Sequence, residues 1–532
     1  MSVTPITLSP DPRAPRGAFS NEPFFDFKAP GNSRAMESAL KVVESDLGRE
    51  YDLIIGAYHV KTKEKIRSLN PARPAQVVGL HQKASAELAE RVMEAALDAF
   101  DIWSKTGPRQ RARVLFAAAD MIRRRKLEFS AWLVFEVGKN WAEADADVGE
   151  TIDFLEFYGR EALRLAAAKP PIQYPGERDE LLYVPLGVGA IIPPWNFPFA
   201  IMAGMTAAAI VTGNTVILKP SSDAPTIAAK FVEVLQEVGL PAGVVNFCPG
   251  SGATFGKAIV EHPQTRFIAF TGSKAVGLEI HERAARVRPG QKWIKRTILE
   301  MGGKDAIIVC SDADLDAAVE GVVASAFGFS GQKCSACSRV IVEAPIYYVF
   351  IKRLRERVAR LTVGDPGSNP NPNLGPVINE AALESILAYI EKGKKEGKLI
   401  TGGQAPVNAD NGYYIEPTIF ADVAPNAVIA QEEIFGPVLA VIRTSSFDEA
   451  LSIANNTEYG LTGAVYTIDR DRIELARKEF HVGNLYFNRK CTGAMVGAHP
   501  FGGFNMSGTD SKAGGPDYLY LFTQAKSVAE RL

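Results

Sequence analysis

The sequence predicts an α/β protein with parallel sheets and more than one domain, and three observations lead to this prediction. The chain has 532 residues, and at about 150 residues per domain this length indicates roughly two to four domains. Hydrophobic residues make up 46% of the chain and charged residues 23%, so a large apolar core can form. Short apolar runs of strand length alternate with helical segments of about a dozen residues, which is typical of right-handed βαβ units.

The first part of the chain predicts an arm followed by a helical layer. Residues 1–45 are rich in Pro, Asn and Phe and have no sustained apolar period, so we expect them to form an arm. Apolar residues recur at helical spacing between 85 and 103, and the segments 109–125 and 128–164 are predicted to be amphipathic helices for the same reason.

Strands and helices then alternate regularly along the chain. Gly239 follows one of the predicted helices, at the position where a left-handed helix cap is expected. In the middle of the chain, strands are predicted at 187–192, 214–219, 244–248 and 267–271, with helices at 198–211, 225–238, 253–261 and 274–286. A second series has strands at 306–310, 340–343, 438–443 and 463–467, helices at 315–327 and 347–361, and loops at 365–374 and 402–412. These two series predict two α/β domains.

The composition disfavours several classes of protein. The 59 Lys and Arg residues nearly balance 61 Asp and Glu residues, which argues against a general nucleic-acid binder. The five cysteines are too few and too scattered for a disulfide framework, and their odd number favours a reducing compartment. The first residues lack the basic segment and apolar run of a signal peptide. We therefore expect a soluble, cytoplasmic protein.

One uncharged stretch, 184–218, resembles a membrane span by hydropathy alone. However, Pro193, Pro194, Pro198 and Gly213 divide it into pieces shorter than a membrane-spanning helix. Such pieces are typical of buried strands and a buried helix in a soluble core. We therefore predict no membrane association.

Two glycine-bearing turns follow predicted strands and open predicted helices. Gly252 and Gly256 belong to the first turn, and Gly272 and Ser273 to the second. Backbone N–H groups and the positive end of a helix at such turns suit a phosphate, and two turns in adjacent units favour a dinucleotide. Lys219 would add a cation at the same sheet edge. Taken alone, each turn is also compatible with a plain tight turn, and the lysine with a solvated strand end.

A second candidate site surrounds Cys334. Its neighbour Lys333 carries a positive charge that would favour the thiolate. Cys337 completes a pair with the spacing of zinc and redox sites, but there is no second such pair and the six histidines are far apart. A thioredoxin-like pair is disfavoured because this segment does not open a helix after a strand. Position alone leaves Cys334 as either a nucleophile or a buried structural thiol, and no metal site is expected.

Glu300 and Asn196 complete the set of candidates. Glu300 lies between an apolar strand and two glycines, where burial would raise its pKa towards that of a general base. A structural carboxylate at a strand end is the alternative. Asn196 is held between prolines in an uncharged segment, and a rigid amide donor suits an oxyanion hole.

Six motifs, in order and at the expected spacing, resemble the aldehyde dehydrogenase superfamily from about residue 45 to the C-terminus. They are PWNFP (194–198), LKPS (218–221), FTGS followed by VG (270–277), LEMGGK (299–304), GQKC (331–334) and EEIFGPV (432–438). The resemblance implies a Rossmann-like NAD-binding domain, an α/β catalytic domain and a small β oligomerisation flap. It implies that residues 1–45 form the N-terminal arm and that 46–169 with 186–299 form the NAD-binding domain. Residues 300–507 would form the catalytic domain, and 170–185 with 508–532 the oligomerisation flap.

In the flap, the resemblance implies a hairpin-like segment near 170–185 together with a C-terminal strand near 518–528. Such a flap implies a homo-oligomer, either a dimer or an assembly of dimers.

The resemblance also implies a role for each candidate. Cys334 would be the nucleophile and Glu300 the general base, while Asn196 and the backbone N–H of Cys334 would form the oxyanion hole. The cofactor-binding residues would be Trp195, Lys219, Ser222, Gly252, Gly256, Gly272, Ser273, Glu433 and Phe435. Many NAD-preferring members carry glutamate where this chain has Ser222, which Asp223 follows. We therefore expect NAD as the cofactor, with NADP tolerated.

Within the superfamily, the chain resembles the Δ1-pyrroline-5-carboxylate dehydrogenase family, which oxidises L-glutamate γ-semialdehyde to glutamate in proline catabolism. The resemblance lies in EVGKNW (136–141), KCS (333–335), FNRK (487–490), TGAMVG (492–497) and PFGG (500–503). It implies that Ser335, Gly493 and Ala494 anchor the substrate α-carboxylate. Phe197 and Phe501 would enclose the aliphatic part. The length of the chain suggests the monofunctional form.

Two alternatives remain open. The first is a broad-specificity aldehyde dehydrogenase in which the loop at Gly493 merely resembles the carboxylate anchor. The second is a non-catalytic relative that acts as a binding protein, which the intact Cys334, Glu300 and Asn196 disfavour. A separate hypothesis is a disulfide between Cys334 and Cys337 in an inactive, oxidised form.

Overall fold

The computed structural model describes residues 17–167, 171–406 and 412–532. Its helices are α1 (Pro30–Asp46), α2 (Leu88–Trp103), α3 (Pro108–Arg124), α4 (Lys126–Val137), α5 (Trp141–Ala166), α6 (Ala200–Val211), α7 (Thr226–Glu237), α8 (Lys257–Glu261), α9 (Lys274–Ala285), α10 (Leu315–Phe327), α11 (Tyr347–Val358), α12 (Glu380–Glu396), α13 (Val428–Gln431), α14 (Phe447–Asn455) and α15 (Arg470–Glu479). A π-helical turn, Gly252–Gly256, leads into α8.

The strands of the first half are β1 (Arg49–Tyr51), β2 (Leu53–Ile55), β3 (Tyr58–Val60), β4 (Lys65–Asn70), β5 (Arg73–Gln82), β6 (Glu177–Pro185), β7 (Val188–Ile192), β8 (Thr215–Leu218), β9 (Val245–Phe247), β10 (Thr265–Thr271) and β11 (Arg296–Glu300). Those of the second half are β12 (Asp305–Val309), β13 (Cys337–Glu343), β14 (Lys398–Thr401), β15 (Thr418–Ala421), β16 (Val438–Thr444), β17 (Tyr459–Gly460), β18 (Thr462–Tyr466), β19 (Asn484–Phe487), β20 (Phe504–Asn505) and β21 (Thr523–Arg531).

Two seven-stranded sheets form the body of the described chain. The first has the order β11-β10-β7-β8-β9-β2-β3, and the second has the order β14-β15-β16-β13-β12-β18-β19. Pairing is parallel from β11 to β9 and from β15 to β19, and antiparallel at β2, β3 and β14. The α/β prediction is therefore confirmed. The prediction succeeds because helices cover both faces of each sheet, so that its strands are buried and consist of apolar runs.

The uncharged stretch 184–218 is divided as the sequence predicts. It contains the end of β6 and then β7, α6 and β8, and the last three elements are almost wholly buried. In the part of the chain that the structure describes, no helix combines the length and the apolarity needed to cross a membrane. Gly239 follows α7 with φ of 83°, which confirms the predicted left-handed cap.

The prediction of an arm is wrong for its last third, and residues 1–16 lie outside the described part. Residues 30–46 form α1, which buries Met36, Leu40 and Val43 on one face. These apolar residues are four and three positions apart, which is helical spacing, but the pattern is too short to stand out among its polar neighbours. The small sheet β1-β5-β4 was also not predicted, because its strands carry charged residues on their exposed face.

The hairpin expected within 170–185 is wrong as well. Residue 170 lies outside the described part, and β6 is a single strand whose antiparallel partner is β21, across nine residue pairs. The segment between Gly508 and β21 packs against the body of the molecule, where Gly508 bridges to Glu300 and Ala513 bridges to Phe501. A local pattern indicates that a strand exists but does not identify a partner more than 300 residues away.

Candidate active site

Two neighbouring cavities meet at Cys334. One has a volume of about 700 Å³ and the other about 590 Å³, and Thr271, Met301 and Cys334 line both. The carboxyl ends of β7, β8, β10 and β11 and the amino ends of β13 and β16 provide most of the walls around this junction. The site therefore lies between the carboxyl edge of the first sheet and the amino edge of the second.

The loop that carries Cys334 has an unusual backbone. Phe329, Ser330 and Gly331 have φ values of 50°, 54° and 70° in succession. A Cβ atom at Gly331 would lie 2.2 Å from the carbonyl oxygen of Gly436. Glycine is therefore required at this position, and the close packing holds the loop before β13 in place.

All nine residues predicted to bind the cofactor line the first cavity. These are Trp195, Lys219, Ser222, Gly252, Gly256, Gly272, Ser273, Glu433 and Phe435. Asn196, which we predicted to act in catalysis, also lines it.

Lys219 and the glycine turns form one side of this cavity. The ammonium group of Lys219 donates to the carbonyl oxygens of Pro220 (3.0 Å) and Gly250 (3.2 Å), which leaves it a third proton to donate. Burial lowers its pKa to about 8. A Cβ at Gly252 would meet no atom within 4 Å, so a ligand can approach this backbone closely. The Ser273 hydroxyl caps α9.

Glu433 and two aromatic rings form the other side. The Glu433 carboxylate accepts from the backbone N–H of Gly303 at 3.1 Å, and burial raises its pKa to about 7. A Cβ at Gly302 would lie 2.2 Å from this carboxylate, so only glycine leaves room for it. The rings of Trp195 and Phe435 meet edge to face at 5.5 Å. Together these groups offer donors, an acceptor and flat apolar surfaces, a set that fits a dinucleotide.

The five residues predicted to bind substrate line the second cavity. These are Phe197, Ser335, Gly493, Ala494 and Phe501. Glu300 lines the same cavity, so the structure brings the predicted base, nucleophile and substrate groups together.

Glu300 occupies a deeply buried position at the end of β11. One carboxylate oxygen accepts a short hydrogen bond from the Ser511 hydroxyl, and the other has no hydrogen-bond partner among the described residues. Burial raises the Glu300 pKa to about 8, as the sequence predicts for a general base. Ser511 was not predicted, because it lies in a segment that the sequence assigns to the flap.

Asn196 is buried, and its amide donates one N–H to the carbonyl oxygen of Gln332 at 3.1 Å. Gln332 is two residues before the nucleophile candidate. This bond therefore holds the amide beside the Cys334 loop, with its second N–H available.

The expected activation of Cys334 by Lys333 is wrong. The Lys333 ammonium lies 2.7 and 2.8 Å from the two oxygens of Glu143, so its charge is already paired. Burial, together with the carboxylates of Asp305, Glu433 and Glu300, raises the Cys334 pKa above its ordinary value. The thiol is therefore protonated at rest and must lose its proton as it reacts.

Cys337 lines neither of the two cavities. Its buried thiol donates to the carbonyl oxygen of Arg339 at 3.3 Å and interacts with the thiol of Cys491. The structure thus gives Cys337 a neighbouring thiol other than Cys334, and all five cysteines are free.

Sequence reasoning missed the acidic face of α5. Glu143 and Glu150 line the substrate cavity, and Asp147 lies between them in the helix. Burial, with the nearby Asp147, raises the Glu150 pKa to about 8. Their spacing of four and three residues places them on one face, but the sequence analysis predicted only an amphipathic helix over 128–164 and singled out none of its carboxylates.

A buried ion pair supports Phe197. The Lys139 ammonium lies 2.8 Å from one oxygen of Asp147 and 3.8 Å from the centroid of the Phe197 ring. The other Asp147 oxygen accepts from the backbone N–H of Ala200, in the first turn of α6. Both charged side chains are fully buried. One pair therefore joins α5, the start of α6 and an aromatic wall of the cavity.

Comparisons with known proteins agree with this geometry. The sequence profile of the aldehyde dehydrogenase family matches residues 58–528. The 1-pyrroline-5-carboxylate dehydrogenase of Geobacillus thermodenitrificans is 60% identical over 512 residues, which is 96% of this chain and 99% of that protein. A crystal structure of 1-pyrroline-5-carboxylate dehydrogenase from Thermus with bound NAD is 53% identical, covers 97% of this chain and 100% of its own, and superposes with a TM-score of 0.95.

Two further solved structures extend the comparison. Proline utilization A from Bdellovibrio bacteriovorus is 46% identical with a TM-score of 0.94, and the match covers 98% of this chain but 55% of that protein. Lactaldehyde dehydrogenase from Escherichia coli is 35% identical with a TM-score of 0.84, and the match covers 91% of this chain and 100% of that one.

Replacing Lys139 by methionine is expected to destabilise the protein by about 3–5 kcal/mol, because Asp147 would remain buried without its cation. The measurement is the temperature of unfolding by scanning calorimetry. Lys394→Met is the control, since Lys394 pairs with Glu391 on the exposed surface of α12 and is expected to contribute less than about 1 kcal/mol. Equal effects of the two substitutions would contradict the role of the buried pair.

Proposed function

The chain belongs to the aldehyde dehydrogenase family, and from that premise we propose that it oxidises L-glutamate γ-semialdehyde, the open form of Δ1-pyrroline-5-carboxylate, to L-glutamate with reduction of NAD. The observation that carries this proposal is the position of Cys334, which lines both cavities and is the reactive sulfur between them. The relatives named 1-pyrroline-5-carboxylate dehydrogenase, which the chain matches along nearly its whole length, support the choice of substrate.

In the first step, the Cys334 sulfur forms a bond to the aldehyde carbon and the thiol proton leaves through water in the cavity. The aldehyde oxygen gains negative charge as this bond forms. The free N–H of the Asn196 amide and the backbone N–H of Cys334 stabilise that charge. The product is a thiohemiacetal on Cys334.

The residues of the first cavity would hold NAD. Lys219 and Glu433 would bind its two riboses, Gly272 and Ser273 its pyrophosphate, and Trp195 would pack near its nicotinamide end. When bound, NAD supplies the acceptor for the hydride that leaves the thiohemiacetal carbon.

Glu300 then releases the product. Loss of the hydride leaves a thioester on Cys334. The buried Glu300 carboxylate, in its deprotonated form, takes a proton from a water molecule that attacks the carbonyl carbon of this thioester. The carbon–sulfur bond breaks with its electron pair passing to the Cys334 sulfur, which regains a proton, and the product carboxylate leaves. The hydrogen bond from Ser511 orients the Glu300 side chain for this step.

The second cavity would select the amino-acid end of the substrate. Ser335 and the backbone N–H groups at Gly493 and Ala494 would bind the α-carboxylate. No salt bridge to Glu150 occurs among the described residues. Burial raises its pKa, and an α-ammonium group bound beside it would lower that pKa again and pair with the carboxylate form. A broad-specificity aldehyde dehydrogenase, the second candidate, would need neither interaction.

NAD is the proposed cofactor, and NADP is expected to be tolerated. Ser222 and Asp223 both line the cofactor cavity. A serine at 222 does not repel a 2′-phosphate as glutamate would. One Asp223 oxygen accepts a hydrogen bond from the Asn379 side chain at 3.1 Å. The negative charge of Asp223 still disfavours the 2′-phosphate of NADP. Initial rates with the two cofactors test this preference, and faster turnover with NADP would contradict it.

We also propose that the protein is a homo-oligomer in the cytoplasm. The sheet of β6 and β21 has only two strands, and such a sheet is marginal in water unless another surface packs on it. Leu181 and Leu182 on β6 are exposed, and a second copy would cover them. Free cysteines support a reducing compartment. Sedimentation at the mass of a single chain would contradict the oligomer.

Cys334→Ala is expected to lower turnover by about 10³-fold or more while leaving the fold unchanged, because the nucleophile is lost. The measurement is the steady-state rate of NADH formation. Cys310→Ala is the matched control, since Cys310 is buried in the second sheet away from both cavities. Residual turnover close to that of the wild type would contradict the assigned mechanism.

The rate of thioester hydrolysis is expected to rise about tenfold per pH unit up to about pH 8 and then level off. Burial raises the Glu300 pKa to about 8, and only the carboxylate form, present above that pKa, can accept a proton from water. Glu300→Gln is expected to lower steady turnover by about 10²- to 10⁴-fold and to retain a first burst of NADH. A variant with normal turnover and the same pH profile would rule out Glu300 as the base.

The wild-type enzyme is expected to prefer Δ1-pyrroline-5-carboxylate over propanal and succinic semialdehyde by about a hundredfold or more in kcat/KM. This corresponds to roughly 3 kcal/mol of differential transition-state binding. Glu150→Gln is expected to weaken the preference without changing the rate on propanal. Comparable rates on all three aldehydes would favour the broad-specificity alternative.

A further inference from the structure

An N-terminal strap, residues 19–27, lies outside the part of the chain that matches the family profile, which begins at residue 58. It has no regular secondary structure, and it contacts α5 at Asp145, Gly149 and Asp153. Phe24 of this strap lines the substrate cavity together with residues of α5 and of the loop that contains Gly493. A segment outside the common aldehyde dehydrogenase domain therefore contributes directly to this cavity.

Asn21 joins two walls of the substrate cavity. Its side-chain amide donates to the Asp153 carboxylate on α5 at 2.8 Å and to the carbonyl oxygen of Val496 at 3.0 Å. Both Asp153 and Val496 line the cavity. Val496 is three residues after Gly493, so this bond restrains the loop whose backbone would bind the α-carboxylate.

The strap is held firmly by other bonds. The backbone N–H of Glu22 donates to Asp153 at 2.7 Å, and that of Phe25 donates to Asp145 at 2.8 Å. Lys126, itself paired with Asp145, donates to the carbonyl oxygen of Pro23 at 2.7 Å. These carboxylates are buried, and charge-assisted bonds to buried groups are among the stronger hydrogen bonds.

Phe24 packs closely against α5. A Cβ atom at Gly149 would lie only 3.2 Å from the Phe24 ring, so the glycine lets the ring approach the helix closely. The ring remains 55% exposed. It therefore forms part of the cavity mouth, where it can contact an entering ligand, and it is not one of the groups that surround Cys334.

We propose that the strap determines substrate specificity: Asn21 positions the carboxylate-binding loop through Asp153 and Val496, and Phe24 covers the amino-acid end of the bound semialdehyde. This proposal rests on the proposed function. A short aldehyde such as propanal reaches Cys334 without contacting either element, so the strap favours substrates with an amino-acid end. A preformed loop binds its ligand more tightly because less conformational entropy is lost on binding.

The test uses Asn21→Ala and Phe24→Ala in the full-length chain. Each is expected to raise KM for Δ1-pyrroline-5-carboxylate by about tenfold, with kcat changed less than about twofold. The kcat/KM on propanal, KM for NAD and the unfolding temperature are expected to stay the same. Phe24→Leu should restore most of the loss, because it restores apolar cover at the cavity mouth.

Phe25→Ala is the matched control. Phe25 is the next residue of the strap and is also exposed, and its ring lies near Lys126 as the ring of Phe24 does, but it does not line the cavity. It is expected to leave the substrate preference unchanged. Equal losses on propanal and on the semialdehyde, or an unchanged preference in both alanine variants, would overturn the proposal.

Hydrogen exchange separates this proposal from the proposed function. Asn21→Ala is expected to accelerate amide exchange in residues 493–497 whatever the substrate is. If the wild-type enzyme showed no preference for the semialdehyde, the proposed function would fail while faster exchange would still support the positioning role of Asn21. Unchanged exchange would overturn that role in either case.

Discussion

The carboxyl edge of one parallel sheet faces the amino edge of another, and neither sheet alone holds a complete set of reactive groups. Asn196, Lys219 and Glu300 follow or end strands of the first sheet, whereas Cys334 and Glu433 precede strands of the second. Parallel strands bring their connecting loops to a common edge, so residues far apart in sequence converge there. The reactive sulfur consequently lies where a dinucleotide-sized cavity and a substrate cavity meet.

Burial at this junction controls the charges of the site. Glu300 and Glu433 have raised pKa values and Lys219 a lowered one, in each case mainly because burial disfavours the charged form. Such groups can change protonation near neutral pH. Lys333, the residue before the nucleophile, forms an ion pair with Glu143. The loop beside the nucleophile is therefore held by an ion pair, and the charge of Lys333 is not free to favour ionisation of the Cys334 thiol.

The sequence was most informative where a motif stands at the end of a strand. Every predicted site residue lines one of the two cavities. Patterns at strand ends indicated candidates such as Lys219, Gly272 and Glu300, whereas residues such as Glu433, Gly493 and Ala494 were implied only by the family resemblance. The misses have a different origin. Glu150 lies on α5, where most positions around the helix are buried by other parts of the chain, and Ser511 reaches Glu300 from a segment 211 residues away. Neither the position of Glu150 in the cavity wall nor the contact of Ser511 with Glu300 leaves a signal in the neighbouring sequence.

The sequence by itself determined the alternation of strands and helices in the two α/β series, the parallel α/β class and the residue types of the reactive groups, since these depend on the side chains of neighbouring residues. Only the tertiary structure decided that β6 pairs with β21, that Glu143 pairs with Lys333 and that the strap reaches the substrate cavity. These contacts join residues more than a hundred positions apart. Which of many chemically suitable partners is chosen depends on the packing of the whole core, and a local pattern contains no information about that packing.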